Sequence, residues 1–193
     1  GSFKRSNSTA GSRFHAHVGQ HVRHRVSAED VLMTFHFGSR SKSELEGVHP
    51  KLDKLAWATI SASPVDFGVF DGLRTPAQQN ALFRRGASTI DGFNRIGKHQ
   101  RQEDGFGHAI DLVPWIDGRF QWDWDALYVI TEVLHVKAIE LDVQIRWGGC
   151  WRHINPLKGS PENWVAEYVK RKLSAGKRAF NDGPHFELYE VTT

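Results

Sequence analysis

Hydrophobic residues recur along this chain with two different periods, and the changes between them predict the order of its elements. The segment "HPKLDKLAWATISA", residues 49–62, has helical spacing, and Pro50 suits a first turn. The positions on one face of this predicted helix are Leu52, Leu55, Ala56, Thr59 and Ile60. The next segment, "VDFGVFDGLRT", alternates apolar with small or polar residues, which predicts a strand that ends near Gly72.

A second helix is predicted directly after that strand. Thr75-Pro76-Ala77-Gln78 has the sequence of a capping box with proline at the first helical position, and Gly86 is well placed to end the helix. Arg74 is therefore expected at a corner between strand and helix.

The second half of the chain repeats these signals. A long helix is predicted over residues 125–140, then a short strand "VQIRW" and a turn at Gly148-Gly149. Ser160 and Pro161 begin an amphipathic helix inside a segment, residues 151–181, that we interpret as a lid or a packed insertion. The segment "GPHFELYEV" alternates as a strand with His185, Glu187 and Tyr189 on one face. "DVLMTFHF", residues 30–37, could form a further short strand.

The order of these elements predicts an α+β fold with a small antiparallel sheet flanked by helices. The length of 193 residues suits one domain, and no apolar run approaches the roughly 18 to 20 residues that cross a bilayer. The single cysteine, Cys150, excludes an intrachain disulfide and a cysteine-rich zinc finger. Any metal would be held by histidine and carboxylate side chains.

The formal net charge of +3 conceals a basic N-terminus. Residues 1–26 contain Lys, Arg and His but no Asp or Glu, and we interpret residues 1–35 as a basic, histidine-rich arm that precedes a catalytic domain over residues 36–193. The arm is either a flexible leader, in part derived from an expression vector, or an attachment to an anionic surface. It has no apolar segment of the kind that a secretory signal needs.

Three polar residues on or beside the predicted strands, His99, Asp111 and His185, are candidate metal ligands. Two imidazoles and one carboxylate, with a fourth position left to water, form a common catalytic zinc site. Their spacing alone decides little, because the chain has eleven histidines. Asp111 is equally suited to a turn or cap, and His185 to a hydrogen-bonded position in the core.

Several separated motifs carry a more specific signal. In chain order they are "LEGVHPKL", "SPVDFGVFDGLRT", "GKHQ", "GHAIDLVPW", "IRWGG" and "DGPHFEL". Over residues 44–190 the chain resembles the zinc peptidases of the M15 family that act on peptidoglycan, and most closely the phage endolysins that cut the L-alanyl-D-glutamate bond. The resemblance implies that His99, Asp111 and His185 bind Zn²⁺ and that Asp182 is the general base. It also implies that Arg74 holds a substrate carboxylate or the developing oxyanion, where the alternative is a surface ion pair.

The chain departs from the family pattern in two places. Eleven residues separate His99 from Asp111, where the common spacing is six, so either "RQEDG" is inserted between the ligands or Asp104 replaces His99. We favour the insertion and expect the side chain of His108 to face away from Asp111. Cys150 stands where relatives usually have aspartate, and it either affects the metal and substrate or is a small buried residue.

The resemblance implies a phage endolysin that lyses the bacterial wall. The alternatives are a D-alanyl-D-alanine carboxypeptidase or dipeptidase, and a catalytically inactive wall-binding or virion module. The expected partner is the stem peptide of peptidoglycan, bound by a monomer with no nucleic acid and no membrane span. The enzyme would be made in the host cytoplasm without a signal peptide and would reach the wall in the periplasm after a separate protein permeabilises the membrane.

Overall fold

The structure, a computed structural model, describes residues 34–190. Its five helices are α1 (Ser39–Glu44), α2 (Pro50–Ala62), α3 (Pro76–Arg84), α4 (Trp124–Glu140) and α5 (Pro161–Ser174). Its strands are β1 (Phe67–Asp71), β2 (Ala109–Ile116), β3 (Arg119–Phe120), β4 (Ile145–Trp147), β5 (Arg152–His153) and β6 (His185–Leu188). In residues 34–190, no helix has both the length and the apolar character needed to cross a membrane.

The strands form one antiparallel sheet in the order β1-β2-β6-β4-β5. The short strand β3 forms a hairpin with the end of β2 and is not part of this order. The predicted α+β class with a small antiparallel sheet is therefore confirmed. The last strand in sequence, β6, lies between β2 and β4, so two strands far apart in the chain are joined through it.

Polar side chains cap the starts of three helices, and two of these caps, Thr75 and Ser160, were predicted from the sequence. Thr75 and Gln78 form the complete capping box of α3, and Ser160 accepts a hydrogen bond from the backbone N–H of Asn163 at the start of α5. At the start of α2, His49 Nδ1 accepts a hydrogen bond from the backbone N–H of Lys51. These contacts use backbone donors that have no partner within the helix.

The core lies between the sheet and the helices α2 and α4. Trp147 of β4 and Phe186 of β6 stack at its centre with ring centroids 6.2 Å apart. Trp164 and Tyr168 of α5 are also buried in this core, so the segment 151–181 is partly packed. Leu173, nearer the end of the same helix, is 64% exposed. Burial of large apolar side chains is the main stabilising contribution to such a core.

The prediction of a strand over residues 30–37 is wrong for residues 34–37, which the structure describes. Residues 34–37 have no strand structure, and residues 30–33, like most of the predicted N-terminal arm, lie outside the described residues. Phe37 is buried instead, with its ring centroid 4.9 Å from that of Trp57 and 5.8 Å from that of Phe67. Phe35 and Phe37 pack against the core from a segment without strand structure. Within residues 34–190, no strand pairs with this segment.

Candidate metal centre

Two adjacent strands place two of the candidate ligands side by side. Asp111 of β2 is the direct cross-strand partner of His185 of β6. Directly opposed residues in an antiparallel pair project to the same face of the sheet. The register thus brings together residues 74 positions apart in the chain.

His99 reaches the same face from the loop between α3 and β2. Its backbone carbonyl accepts a hydrogen bond from the Arg74 N–H at 2.8 Å, and its Nδ1 donates to the Gly72 carbonyl at 2.7 Å. That second bond fixes the proton on Nδ1 and leaves Nε2 free. A side chain at Gly72 would overlap the carbonyl oxygen of Glu44, so only glycine allows the backbone of Glu44 to pass this close to the residue that binds His99.

The three side chains converge on one point. His99 Nε2 lies 3.2 Å from Asp111 Oδ1 and 3.1 Å from His185 Nδ1, and the latter two atoms are 3.1 Å apart. Ligands bound at about 2.0–2.1 Å in a tetrahedron lie about 3.3 Å from one another, so the spacing suits Zn²⁺. The donor set of two nitrogens and one carboxylate oxygen also fits that ion.

Without a metal, the charges at this centre are strongly coupled. Burial opposes ionisation of Asp111, but His99 and His185 outweigh it and hold the pKa of this carboxyl well below its usual range. Burial likewise opposes protonation of His185, yet hydrogen bonds to Asp111 and Glu187 raise its pKa to about 10. Protonated His185 carries one of its two protons on Nδ1, the atom that faces His99 and Asp111. A cation that binds there must displace this proton.

Glu187 supports His185 from the side opposite the ligands. Its Oε2 lies 3.1 Å from His185 Nε2, and its Oε1 accepts a hydrogen bond from Arg146 Nη1 at 3.0 Å. The bond to Glu187 keeps a proton on Nε2, so Nδ1 is the nitrogen that could bind a cation. This arrangement of carboxylate and histidine is common behind protein-bound zinc.

Arg74 is held by three partners. Its Nη2 donates to Asp111 Oδ2 at 3.0 Å, its Nε to Asp71 Oδ2 at 2.9 Å, and its Nη1 to Gln79 Oε1 at 3.3 Å. The guanidinium thus fixes the carboxylate of Asp111 with one oxygen turned toward the histidines. The predicted contact of Arg74 with substrate stays a prediction.

Asp182 lies on the turn before β6. Its backbone N–H donates to the Gly148 carbonyl at 3.0 Å, and its own carbonyl accepts from the His185 N–H at 3.2 Å. A side chain at Gly148 would collide with the Asp182 carbonyl, so the Gly-Gly turn permits this packing. Burial and the nearby charge of Asp111 raise the pKa of the Asp182 carboxyl, which favours uptake of a proton at this position.

Trp151 borders the centre on the side of the segment 151–181. Its ring centroid lies 5.5 Å from that of His185, and its indole N–H donates to the Phe180 carbonyl at 2.8 Å. The backbone of Trp151 is left-handed, with φ of 52°, a conformation that non-glycine residues rarely adopt. Both ends of the segment therefore meet beside the metal centre.

Comparisons with known proteins identify the family of this chain. The profile of the phage L-alanyl-D-glutamate peptidase family matches residues 33–189. The L-alanyl-D-glutamate peptidase of Escherichia phage T5 is 32% identical over 157 residues, which cover 81% of this chain and 99% of that protein.

The chain belongs to the phage L-alanyl-D-glutamate peptidase family. Among solved structures, the L-Ala D-Glu endopeptidase ChiX of Serratia marcescens is similar, with a TM-score of 0.56 and 27% identity over 85% of this chain and 95% of that one. Membership makes the protein a peptidase, and the structural likeness confirms the predicted fold.

The residues that distinguish this peptidase from the common family spacing lie away from the metal centre. Asp104 Oδ2 is 2.8 Å from His108 Nε2, and the imidazole of His49 is the third member of this group. His99 rather than Asp104 thus lies beside Asp111 and His185. Cys150 is fully buried in the core, burial raises the pKa of its thiol, and neither group of potential metal ligands in residues 34–190 includes it.

Two supporting residues were missed at the sequence level. Glu187 follows His185 by two positions, so the strand alternation that placed both on one face was a usable signal for a partner of the histidine. Asp71 had no comparable signal, because its contact with Arg74 depends on how the strand turns into α3.

Proposed function

We propose that this protein is a zinc-dependent endopeptidase that hydrolyses the L-alanyl-D-glutamate bond of the peptidoglycan stem peptide. The observation that carries the proposal is the convergence of His99, Asp111 and His185 within 3.2 Å of one another in a chain of this family. A buried group of two imidazoles and a carboxylate, open to one further ligand, is a typical catalytic zinc site.

The residues that would hold the ion are His99 through Nε2, His185 through Nδ1 and Asp111 through Oδ1. When bound, zinc supplies Lewis-acid polarisation of the scissile carbonyl and lowers the pKa of water. Arg74 and Glu187 act behind this site, since each holds one ligand in its orientation through a hydrogen bond of about 3 Å.

Asp182 is proposed as the general base. It accepts a proton from the attacking water and returns that proton to the amine that leaves as the peptide bond breaks. Its raised pKa suits both steps, because a carboxylate with a higher pKa holds the proton more readily between them. The charges of Asp111 and His185 both act on the pKa of its carboxyl, which supports a position of this carboxylate near the proposed ligands.

Arg74 has a second proposed role toward the substrate. Its side chain is 16% exposed, and the bonds to Asp71, Gln79 and Asp111 use three of the five N–H donors of the guanidinium, which leaves two donors for a substrate. A cation there would attract the free carboxylate of the D-glutamate residue or the oxyanion that forms during attack.

The proposed setting is lysis of a bacterial host by a phage. The enzyme would be made in the host cytoplasm and would act on the wall in the periplasm once the membrane is permeabilised, as a monomer with zinc as cofactor. The proposed division of the chain is a basic arm over residues 1–35 and a peptidase domain over residues 36–193 with an insertion at about 151–181.

Mass spectrometry of digested muropeptides tests the proposal. Purified stem-peptide muropeptides are incubated with the zinc-loaded protein, with chelator-treated protein and with the Asp182→Asn variant. The expected products result from cleavage between L-alanine and D-glutamate, and they are lost with chelator and strongly reduced with the variant. Release of D-alanine alone would indicate a carboxypeptidase, and intact muropeptides would indicate an inactive wall-binding module; either result refutes the proposal.

A further inference from the structure

A second group of potential metal ligands lies outside the centre described above. It consists of His49, Asp104 and His108, whose ligand atoms all lie within 4.8 Å of one another. Asp104 Oδ2 is 2.8 Å from His108 Nε2 and 3.7 Å from His49 Nε2. Two imidazole nitrogens and a carboxylate oxygen are the same donor set that suits zinc at the first centre.

The backbone holds this group together from three segments of the chain. His49 precedes α2, Asp104 lies in the inserted loop "RQEDG", and His108 immediately precedes β2. The Gly107 carbonyl accepts a hydrogen bond from the His49 N–H at 2.9 Å, and the Gly107 N–H donates to the Gly47 carbonyl at 2.9 Å. Because these bonds fix the backbone next to two of the ligands, the imidazoles do not depend on a mobile loop for their approach.

The protonation of the two imidazoles is compatible with a cation. Within residues 34–190, His108 Nδ1 has no hydrogen-bond partner, so it is free to carry the proton while Nε2 binds; Oε1 of Glu190 lies 3.9 Å from it. His49 Nδ1 accepts the helix-capping bond from Lys51, so binding through Nε2 would move the proton to Nδ1 and break that bond. That capping bond is exposed to solvent, so water can replace the imidazole as the acceptor for the Lys51 N–H.

We propose that His49, Asp104 and His108 form a second site for a divalent transition-metal cation of the zinc type, with a fourth position open to water. Its ligand atoms are reachable, since the side chains of His49 and Asp104 are 21% and 41% exposed. A cation here would join the start of α2, the inserted loop and the residues that lead into the strand of Asp111. The site is distinct from the catalytic proposal, because it shares no ligand with it.

Zinc titration of the full chain at buffered free Zn²⁺ tests the second site. Bound zinc is counted for the unaltered protein, for Asp104→Asn, which keeps the size of the side chain and one acceptor oxygen but loses the charge, and for His108→Ala. Each variant is expected to bind one equivalent less than the unaltered protein and to keep the tightest equivalent. The matched control is His36→Ala, which removes an exposed histidine outside both groups and is expected to bind the full number.

The nitrogen resonances of the histidine rings provide a second, site-specific readout that the histidines of residues 1–26 do not obscure. Zinc is expected to shift Nε2 of His49 and His108, also in a His185→Ala background in which the first centre is disabled. The proposal is overturned if the variants bind as much zinc as the unaltered protein, if His36→Ala loses the same equivalent, or if the two rings stay unshifted at saturating Zn²⁺.

Discussion

Replacing Glu187 with alanine is expected to weaken zinc binding at the metal centre without removing any ligand. Glu187 is buried and accepts a hydrogen bond from His185 Nε2 at 3.1 Å. In the alanine variant this N–H has no acceptor in the core, and the ring loses the contact that directs Nδ1 toward His99 and Asp111.

The size of the effect depends on which partner of Glu187 can replace the lost hydrogen bond with water. Arg146 is 41% exposed and can exchange its bond to Glu187 for water, whereas the side chain of His185 is only 10% exposed and cannot. The loss therefore falls on the metal ligand. Loss of such a supporting partner costs about 10- to 100-fold in metal affinity, which corresponds to about 1.4 to 2.7 kcal/mol. Glu187→Gln keeps an acceptor oxygen, and we expect it to lose only a few-fold, roughly, because the hydrogen bond is weaker without the charge.

The assay is competition with a chromophoric zinc chelator at constant pH, together with the melting temperature of the metal-free proteins. Glu140→Ala is the matched control, since it removes an exposed glutamate whose partner, Lys137, also lies on α4. If Glu187→Ala binds zinc as tightly as the unaltered protein, or if alanine and glutamine have equal effects, Glu187 does not orient His185 and the argument fails.

Three further predictions concern the same centre. Asp182→Asn should keep zinc bound while hydrolysis falls by about 10² to 10⁴-fold, and loss of zinc in step with activity would make Asp182 a ligand or a structural residue instead. His99→Ala should lose the tightest zinc equivalent and the activity, whereas Asp104→Ala should keep that equivalent; the opposite result in metal analysis would show that the inserted loop has been wrongly assigned. The pKa of His185 is raised to about 10 without metal, so its proton stabilises the metal-free fold fully below pH of about 6.5 and this contribution is lost as the pH rises toward 10. Zinc replaces that proton, so the rise in melting temperature at fixed free Zn²⁺ should be larger at pH 8.5 than at pH 6.5, and an equal or smaller rise would contradict it.

Local signals in the sequence were sufficient for most elements of this fold. The capping residues Thr75 and Ser160 begin helices where they were expected, because a cap acts on backbone donors two or three residues away. The hairpin between β2 and β3 was missed, although Asp117-Gly118 has the composition of a tight turn and both residues have positive φ. Aromatic alternation at Phe35 and Phe37 was misleading, since periodicity carries no information on whether a neighbouring strand exists.

At the metal centre too, some features were predictable from local sequence and others were not. The proposed ligands were named from motifs of a few residues, and the structure brings their side chains together. The bond of His99 to the Gly72 carbonyl and that of Arg74 to Asp111 join residues 27 and 37 positions apart. Such contacts follow from sheet register and from close backbone approaches, neither of which is written in a local pattern. The same is true of His49, whose proximity to the inserted loop depends on the turn before α2.

The central position of β6 has a consequence for the order in which activity appears during synthesis. A ribosome releases β1, β2 and β4 before it releases β6, yet β6 is the strand that joins β2 to β4 and carries His185. A nascent chain that stops before residue 185 has two separated pieces of sheet and two of the three proposed ligands. Closing the sheet through contacts of long sequence separation is a slow, late step in folding. The nascent chain therefore lacks His185, one of the three proposed ligands, until β6 is made, so the proposed metal centre cannot be complete before that point of translation.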